Sequence, residues 1–441
     1  MMRAPMCLAC HLKGTVMLQY RNRRWFLIAA TAAAFAAFTG AAPASAITDS
    51  QARGSRATVV AELTTLIPEA TPGSDEPARE ADASRLSAAG EICTSPDENG
   101  RGSCIEYRNA DTMPGLPSSE ADAQFAAVAP PQWCEDAQGV VYATRTQACR
   151  IDGVLYHTWV ERNGVRTTTG EANLLLINYS YGSTSDSRIA HQLDVTAFSG
   201  WGDALKGSYS GTARVGYSCT KESGSFTTKP IQPLNQWHTG EAFFDSTATA
   251  AGAAGECGTG WNLTFTNPGY TSSSYVVPVF RQFRCDNNTA GRTDPGCVVP
   301  WYASAVYYSQ AANPDLASHV SRAQASGLPG ATFEAPLTRT TDPAVNQTNR
   351  DRACGDAPSV NGKSCDEYPV ASSKQGLSAG GTRRTFDGCG FPGIPAGQGP
   401  TGVSVCMITA AENNSQGGLH SAMYRSERVL QDDPFRVIVI P

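Results

Sequence analysis

Between Trp133 and about Tyr308, apolar and polar positions alternate in short runs. "VVYATRTQACRIDGVLYHTWVERNG", "EANLLLINYSYG", "ARVGYSCTKESGSFTT" and "SSYVVPVFRQFRCDN" are rich in β-branched and aromatic residues, with Gly, Asn, Asp and Ser between them. Such runs predict strands and turns, and their regular spacing predicts a sandwich. No helical periodicity is sustained there. The pattern changes at Pro314. "PDLASHVSRAQASG" opens on Pro and Asp, places Leu316, Val320 and Ala323 at helical spacing, and stops at Gly327. This predicts a capped amphipathic helix. "DPAVNQTNRDRACG" predicts a second helix, and "DPFRVIVIP" a closing strand.

The start of the chain has a different character. Arg21, Arg23 and Arg24 precede an apolar, alanine-rich run from Trp25 to Phe38, and Ala44-Ser45-Ala46 has the small residues of a cleavage site. This predicts a signal peptide over residues 1–46, cut after Ala46, with Met17 as an alternative start. The apolar run is short for a membrane span and no second one follows, so the mature form is expected to have no membrane segment. Residues 47–130 are rich in Ala, Ser, Pro, Glu and Asp, and read as a low-complexity linker or pro-segment. Residues 131–309 form the β-rich domain, of unreadable role, and 310–441 a compact C-terminal domain. The expected fold class is therefore α+β overall: an all-β, sandwich-like middle domain followed by a small, disulfide-stapled α+β domain.

The cysteines sharpen this picture. Of 14, Cys7 and Cys10 precede the cleavage site, which leaves 12, an even number without CxxC spacing. An oxidising compartment and disulfides follow. Pairing near neighbours gives Cys93/Cys104, Cys134/Cys149, Cys285/Cys297, Cys354/Cys365 and Cys389/Cys406, with Cys219 and Cys257 left as the long pair. The formal net charge of −6 argues against bulk attraction to nucleic acid, so such a role would rest on local cations or bound metal.

Candidate chemistry concentrates in the last domain. Asp366 and Glu367 stand between Cys365 and Tyr368-Pro369. Adjacent acids on a strand face opposite ways, so both reach one ion only at a bend, which Pro369 would supply. "AENNSQGG" offers Glu412, Asn413 and Asn414 as hard oxygen donors, and its Gly417 and Gly418 allow close backbone approach. His319, on the first helix one position before Val320, need not face the core. It is a candidate base, as is His420. The histidines at 157, 191 and 238 are isolated among strand residues. HExxH and Walker patterns are absent from the sequence. Trp201, Trp237 and Trp261 read as core more readily than as a ligand platform.

Taken together, "NRDRACG", "SCDEYPVASS" and "GVSVCMITAAENNSQGGLHSAMYRSERVLQDDPFRV" resemble the NucA/NucB deoxyribonuclease family over about 310–441. The resemblance rests on Asp366-Glu367-Tyr368-Pro369, on Glu412-Asn413 with Gly417, and on His319-Val320. It implies a secreted, metal-assisted endonuclease acting on DNA, with Mg²⁺ or Mn²⁺. Asp366 would be the principal ligand, with Glu367 as ligand or water-orienting base. Glu412 and Asn413 would complete the shell, with His319 as the alternative general base. Small bacterial members carry Asp where this chain has Glu412. Arg339, Arg350 and Lys363 would clamp phosphate. Cys354–Cys365 and Cys389–Cys406 would staple the loops of the site. An inhibitor protein is left open as a partner, and the sequence carries no sign of one. The competing expectation is a non-enzymatic β-sandwich binding protein with a degenerate nuclease tail.

Overall fold

The computed structural model describes residues 76–80, 90–110, 128–277 and 280–441, all within one compact unit spanning Arg53–Pro441. The expected signal peptide, and most of 47–130, lie outside the described residues.

The alternating runs are strands, but they join into one continuous sheet of 14 strands rather than two separate sheets. Gln147–Arg162, Val165–Ser183 and Asp186–Gly202 are antiparallel neighbours at its centre. Pairing continues through His238–Ser246, Cys219–Pro230, Ser208–Tyr217 and Ala254–Asn267. The two halves share one apolar core, in which Leu174, Leu176 and Val195 meet Trp261 and Leu263. Tyr156 stacks on Phe265 across it, with ring centroids 4.9 Å apart. A sheet folded over its own apolar face buries every second residue as two stacked sheets would, so a period of two does not separate the cases. A further cluster, with Tyr179, Tyr181, Ala190 and Phe243, buries the other face of the central strands. Trp261 is core, Trp237 is partly buried, and Trp201 is half exposed.

Part of the expected linker is sheet. Arg101–Asn109 is a strand paired with Gln147–Arg162, and Ile92–Cys93 pairs with it in turn. Ile105 is its fully buried anchor, hidden in the sequence by polar neighbours.

All six expected disulfides are formed among the described residues: Cys93–Cys104, Cys134–Cys149, Cys219–Cys257, Cys285–Cys297, Cys354–Cys365 and Cys389–Cys406. Two of these cysteines, Cys149 and Cys297, show where the cross-links of the large sheet sit. Both are fully buried in strands of the large sheet, Cys149 on Gln147–Arg162 and Cys297 on Gly296–Val298. Cys149 is opposite Tyr179 in the register and packs in its cluster. Cys297 is opposite its own partner Cys285, and both belong to the main core. Neither lines the C-terminal cavity described below. An oxidised sulfur out of reach of water is neither nucleophile nor ligand, so these two are packing residues and cross-links.

In the C-terminal region the order is β1 (Ser304–Ser309), α1 (Pro314–Ala325), β2 (Leu337–Thr338), α2 (Pro343–Cys354), β3 (Lys363–Tyr368), β4 (Arg383–Arg384), β5 (Val403–Thr409), α3 (Ala410–Ser426) and β6 (Pro434–Ile440). One small sheet runs β1-β6-β2 and the other β3-β5-β4. Leu316, Val320 and Ala323 of α1 pack with Val306, Ile408, Tyr424 and Val437 into a core of their own. The helix α3 was not expected. Its two internal glycines each cost about 1 kcal/mol against alanine, and its polar residues blur the periodicity; packing on both sheets overrides these costs.

Candidate active site

Strand β3 is the edge of its sheet and pairs without a break with β5, Asp366 opposite Cys406 and Glu367 opposite Val405. The expected bend is absent within it. Strict alternation therefore sends the two acids to opposite faces.

Asp366 faces inward and is fully buried. Its Oδ2 lies 2.6 Å from Nδ1 of His319, and its Oδ1 accepts a hydrogen bond from Nε2 of Gln416 at 2.9 Å. His319 is also fully buried, and its Nε2 lies 2.8 Å from Oγ of Ser404 on β5. His319, read from the sequence as a candidate base that need not face the core, is the polar centre of the α1–β3–β5 junction, with both ring nitrogens engaged.

Glu367 faces outward into a cavity of about 520 Å³ between α2, β3 and α3. Arg350, Asn413, Asn414, Gln416 and His420 also line it. The Cys354–Cys365 disulfide lies in its wall and ties α2 to β3. Burial, with the neighbouring Asp366 charge adding to it, pushes the Glu367 carboxyl up to about 7, against the pull of Arg350. Asn413 donates from Nδ2 to the Cys365 carbonyl and to Ser364 Oγ, 2.9 Å each, which satisfies an edge carbonyl of β3 and leaves the amide oxygen for another partner. Behind the cavity, His420 Nε2 is 2.6 Å from the Tyr308 hydroxyl and Nδ1 is 3.2 Å from that of Tyr424. Burial holds this imidazole down at about 4, so it is neutral near pH 7.

The remaining candidates fall elsewhere. Glu412 does not line the cavity: its Oε2 accepts from the Leu316 amide at 2.9 Å, at the start of α1, where a helix N-terminus favours a carboxylate. Asn313, the cap residue of that helix, makes no side-chain cap bond, so Glu412 does the capping from α3. Arg339 bonds the Val429 carbonyl and lies 4.2 Å from the Tyr424 ring centre, supporting the site from behind. Lys363 is exposed and 4.0 Å from Asp315. Of the three expected phosphate clamps, only exposed Arg350 lines the cavity. Gln416 escaped the sequence reading. It sits three residues after Asn413 and four before His420, on one helix face, a signal available once α3 is recognised.

The four expected metal ligands thus do not share one shell. Among the described residues, one group of His, Cys, Asp and Glu has its ligand atoms within 4.8 Å of each other: Glu91, Cys93, Cys104 and His157. Its two sulfurs are joined in a disulfide, so it offers no thiolates. At the cavity the donor set that fits a hard divalent cation is smaller than expected. It is one carboxylate raised by burial, Glu367, beside the amide groups of Asn413 and Asn414.

Residues 329–438 match the family model Deoxyribonuclease NucA/NucB. The match lies wholly in the C-terminal region. It takes in α2, β3, α3 and every residue named in the cavity. Neither the search of curated proteins nor that of solved structures returns a match. Among the described residues no helix is long and apolar enough to cross a membrane.

Proposed function

We propose that this protein is a secreted, divalent-metal-dependent endonuclease that hydrolyses phosphodiester bonds of extracellular DNA, with Mg²⁺ or Mn²⁺ as the cation. The observation that carries the reading is Glu367, a carboxylate raised to about 7 in the wall of a NucA/NucB-family cavity that also holds the Arg350 guanidinium. A divalent cation would neutralise phosphate charge and activate water there. Glu367 would hold it, with the amide oxygens of Asn413 and Asn414 beside it. Arg350 offers a planar pair of donors to phosphate oxygens, and phosphate contacts supply most sequence-independent affinity for DNA. Asp366 works from the buried side, as the anchor that orients Gln416 at the cavity and His319 in the core. His420, neutral and held between two tyrosine hydroxyls, fixes the back wall. Six disulfides support an oxidising destination.

The test is nicking of supercoiled plasmid by the purified full chain with Mg²⁺, with Mn²⁺ and with EDTA. Cleavage with metal and none with EDTA is expected. Equal cleavage in EDTA, or none with either metal, overturns the reading.

A further inference from the structure

The helix that carries Asn413, Gln416 and His420 is held at its far end by the β-rich region. Directly after α3, Arg428 adopts a left-handed backbone with φ 48°, and its side chain is fully buried. That side chain leaves the C-terminal region altogether. Its Nε donates to the Thr184 carbonyl at 2.6 Å, its Nη1 to the carbonyl and Oδ1 of Asp286 at 2.9 and 3.2 Å, and its Nη2 to the Asp294 carbonyl at 2.6 Å. Gly296 makes the room: a Cβ there would collide with Arg428 Nε and with the Thr184 carbonyl. Two arginines reach back from the β-rich region. Arg145 donates to the Glu427 and Arg428 carbonyls at 2.6 and 2.9 Å, and Arg284 to the Arg428 carbonyl at 2.6 Å. Asp433 bonds both of these arginines, at 3.1 and 2.6 Å.

The physics of this arrangement is specific. The last carbonyls of a helix lack intrahelical partners and carry partial negative charge, so cationic donors placed there stabilise the helix end. A guanidinium is a rigid fork that fixes direction as well as charge. A buried one tolerates no loss of acceptors, because an unpaired buried charge is costly. α3 therefore cannot slide or turn about its axis without breaking several of these bonds together. The groups that would move are those facing the cavity.

We propose that Arg428 is a positioning residue of the nuclease site, and that the β-rich region, gripping it, is a structural part of the catalytic unit. This rests on the reading of the Glu367 cavity as the nuclease site.

The experiment uses the full chain as wild type, Arg428→Ala, Arg428→Lys and Arg284→Gln. It measures kcat and KM on duplex DNA at saturating Mn²⁺, together with amide hydrogen exchange across α3 and across strands 147–202. For folded Arg428→Ala, kcat is expected to fall about tenfold to a hundredfold with KM changed little, since small misplacements cost that much. Exchange in 413–424 should quicken while 147–202 keeps its protection. Arg428→Lys should recover only part of the loss, because the three donors of one compact ammonium cannot reach four diverging acceptors. Folded Arg428→Ala with wild-type kcat and wild-type exchange in α3 overturns the proposal. If that variant does not fold, Arg284→Gln decides. It leaves Arg428 in place, and is expected to lower kcat a fewfold and loosen α3; no change in either overturns the proposal. If the wild type cuts no DNA, the reading of the cavity fails on its own. The exchange data then still judge the brace: a loosened α3 supports it and an unchanged one overturns it.

Discussion

Strand β3 separates two environments only one residue apart. On its inner side, Asp366 is fully buried and shared between His319 and Gln416. On its outer side, Glu367 stands in a solvent-connected cavity with Arg350, its carboxyl raised to about 7. Two similar carboxylates thus do different work. One meets fixed protein partners and anchors the helices on either side; the other faces the cavity beside Arg350, Asn413 and Asn414, where the proposed cation would bind. What sets them apart is the parity of a regular strand. A motif read as a string treats both as ligands, whereas the strand geometry permits one at the cavity.

The largest effects should therefore split cleanly between activity and stability. Glu367→Gln keeps the shape of the side chain and removes the charge that would hold the cation. Plasmid nicking is expected to fall by about two to three orders of magnitude, with the melting temperature in EDTA no lower than wild type. Asp366→Ala should instead unfold the protein more easily, by about 3–5 kcal/mol in denaturant titration, because it strips a buried pair of one partner. The reverse assignment, a stable Asp366→Ala protein without activity beside an active Glu367→Gln protein, would abolish the distinction drawn here.

A second experiment sharpens the comparison through pH. Glu367 has its carboxyl raised in the folded state, so the stability that its protonated form contributes is present at acid pH and lost as pH rises through about 7. Gln at 367 is neutral throughout. In EDTA the variant and wild type should melt alike near pH 4.5. The variant should then become the more stable by an amount on the order of 2 kcal/mol by pH 8. Parallel melting curves at all pH values would place Glu367 in water rather than against the protein. His191 and His420 act with the opposite sign: burial lowers them to about 3 and about 4. Their contribution is present above the ordinary histidine value near 6.5 and is lost as pH falls toward those values. Wild type and Glu367→Gln should therefore share a loss of stability below about pH 6.

How much of this was open to sequence reasoning depends on the range of the interaction. The strands, α1, α2 and β6 follow from local periodicity, and the six disulfides from spacing along the chain. The family resemblance took in the segments that line the cavity. It did not separate Asp366 from Glu367, because the continuous β3–β5 ladder that fixes their parity is a long-range pairing. It did not displace Glu412 either, because the Leu316 amide that captures it lies 96 residues away. The single sheet in place of two, the burial of Cys149 and Cys297 inside it, and the arginine contacts around Arg428 are likewise products of tertiary assembly. The missed helix is the exception, since its cause lies in its own residues, Gly417 and Gly418.

Those two glycines give the smallest predicted effect and a distinction within α3 itself. Both are exposed, and a Cβ added at either would meet nothing within 4 Å. A helix interior gains about 0.5–1 kcal/mol when glycine becomes alanine. Gly418→Ala, off the cavity, should raise stability by that amount in urea titration and leave nicking unchanged. Gly417 lines the cavity. Gly417→Ala should give the same gain in stability but narrow the space beside Glu367, so it is expected to slow cleavage a fewfold. Equal activity in the two alanine variants would mean that the cavity wall at 417 does not meet the substrate. An unstabilised Gly418→Ala would mean that α3 is held wholly by its packing, with no contribution left for its own backbone.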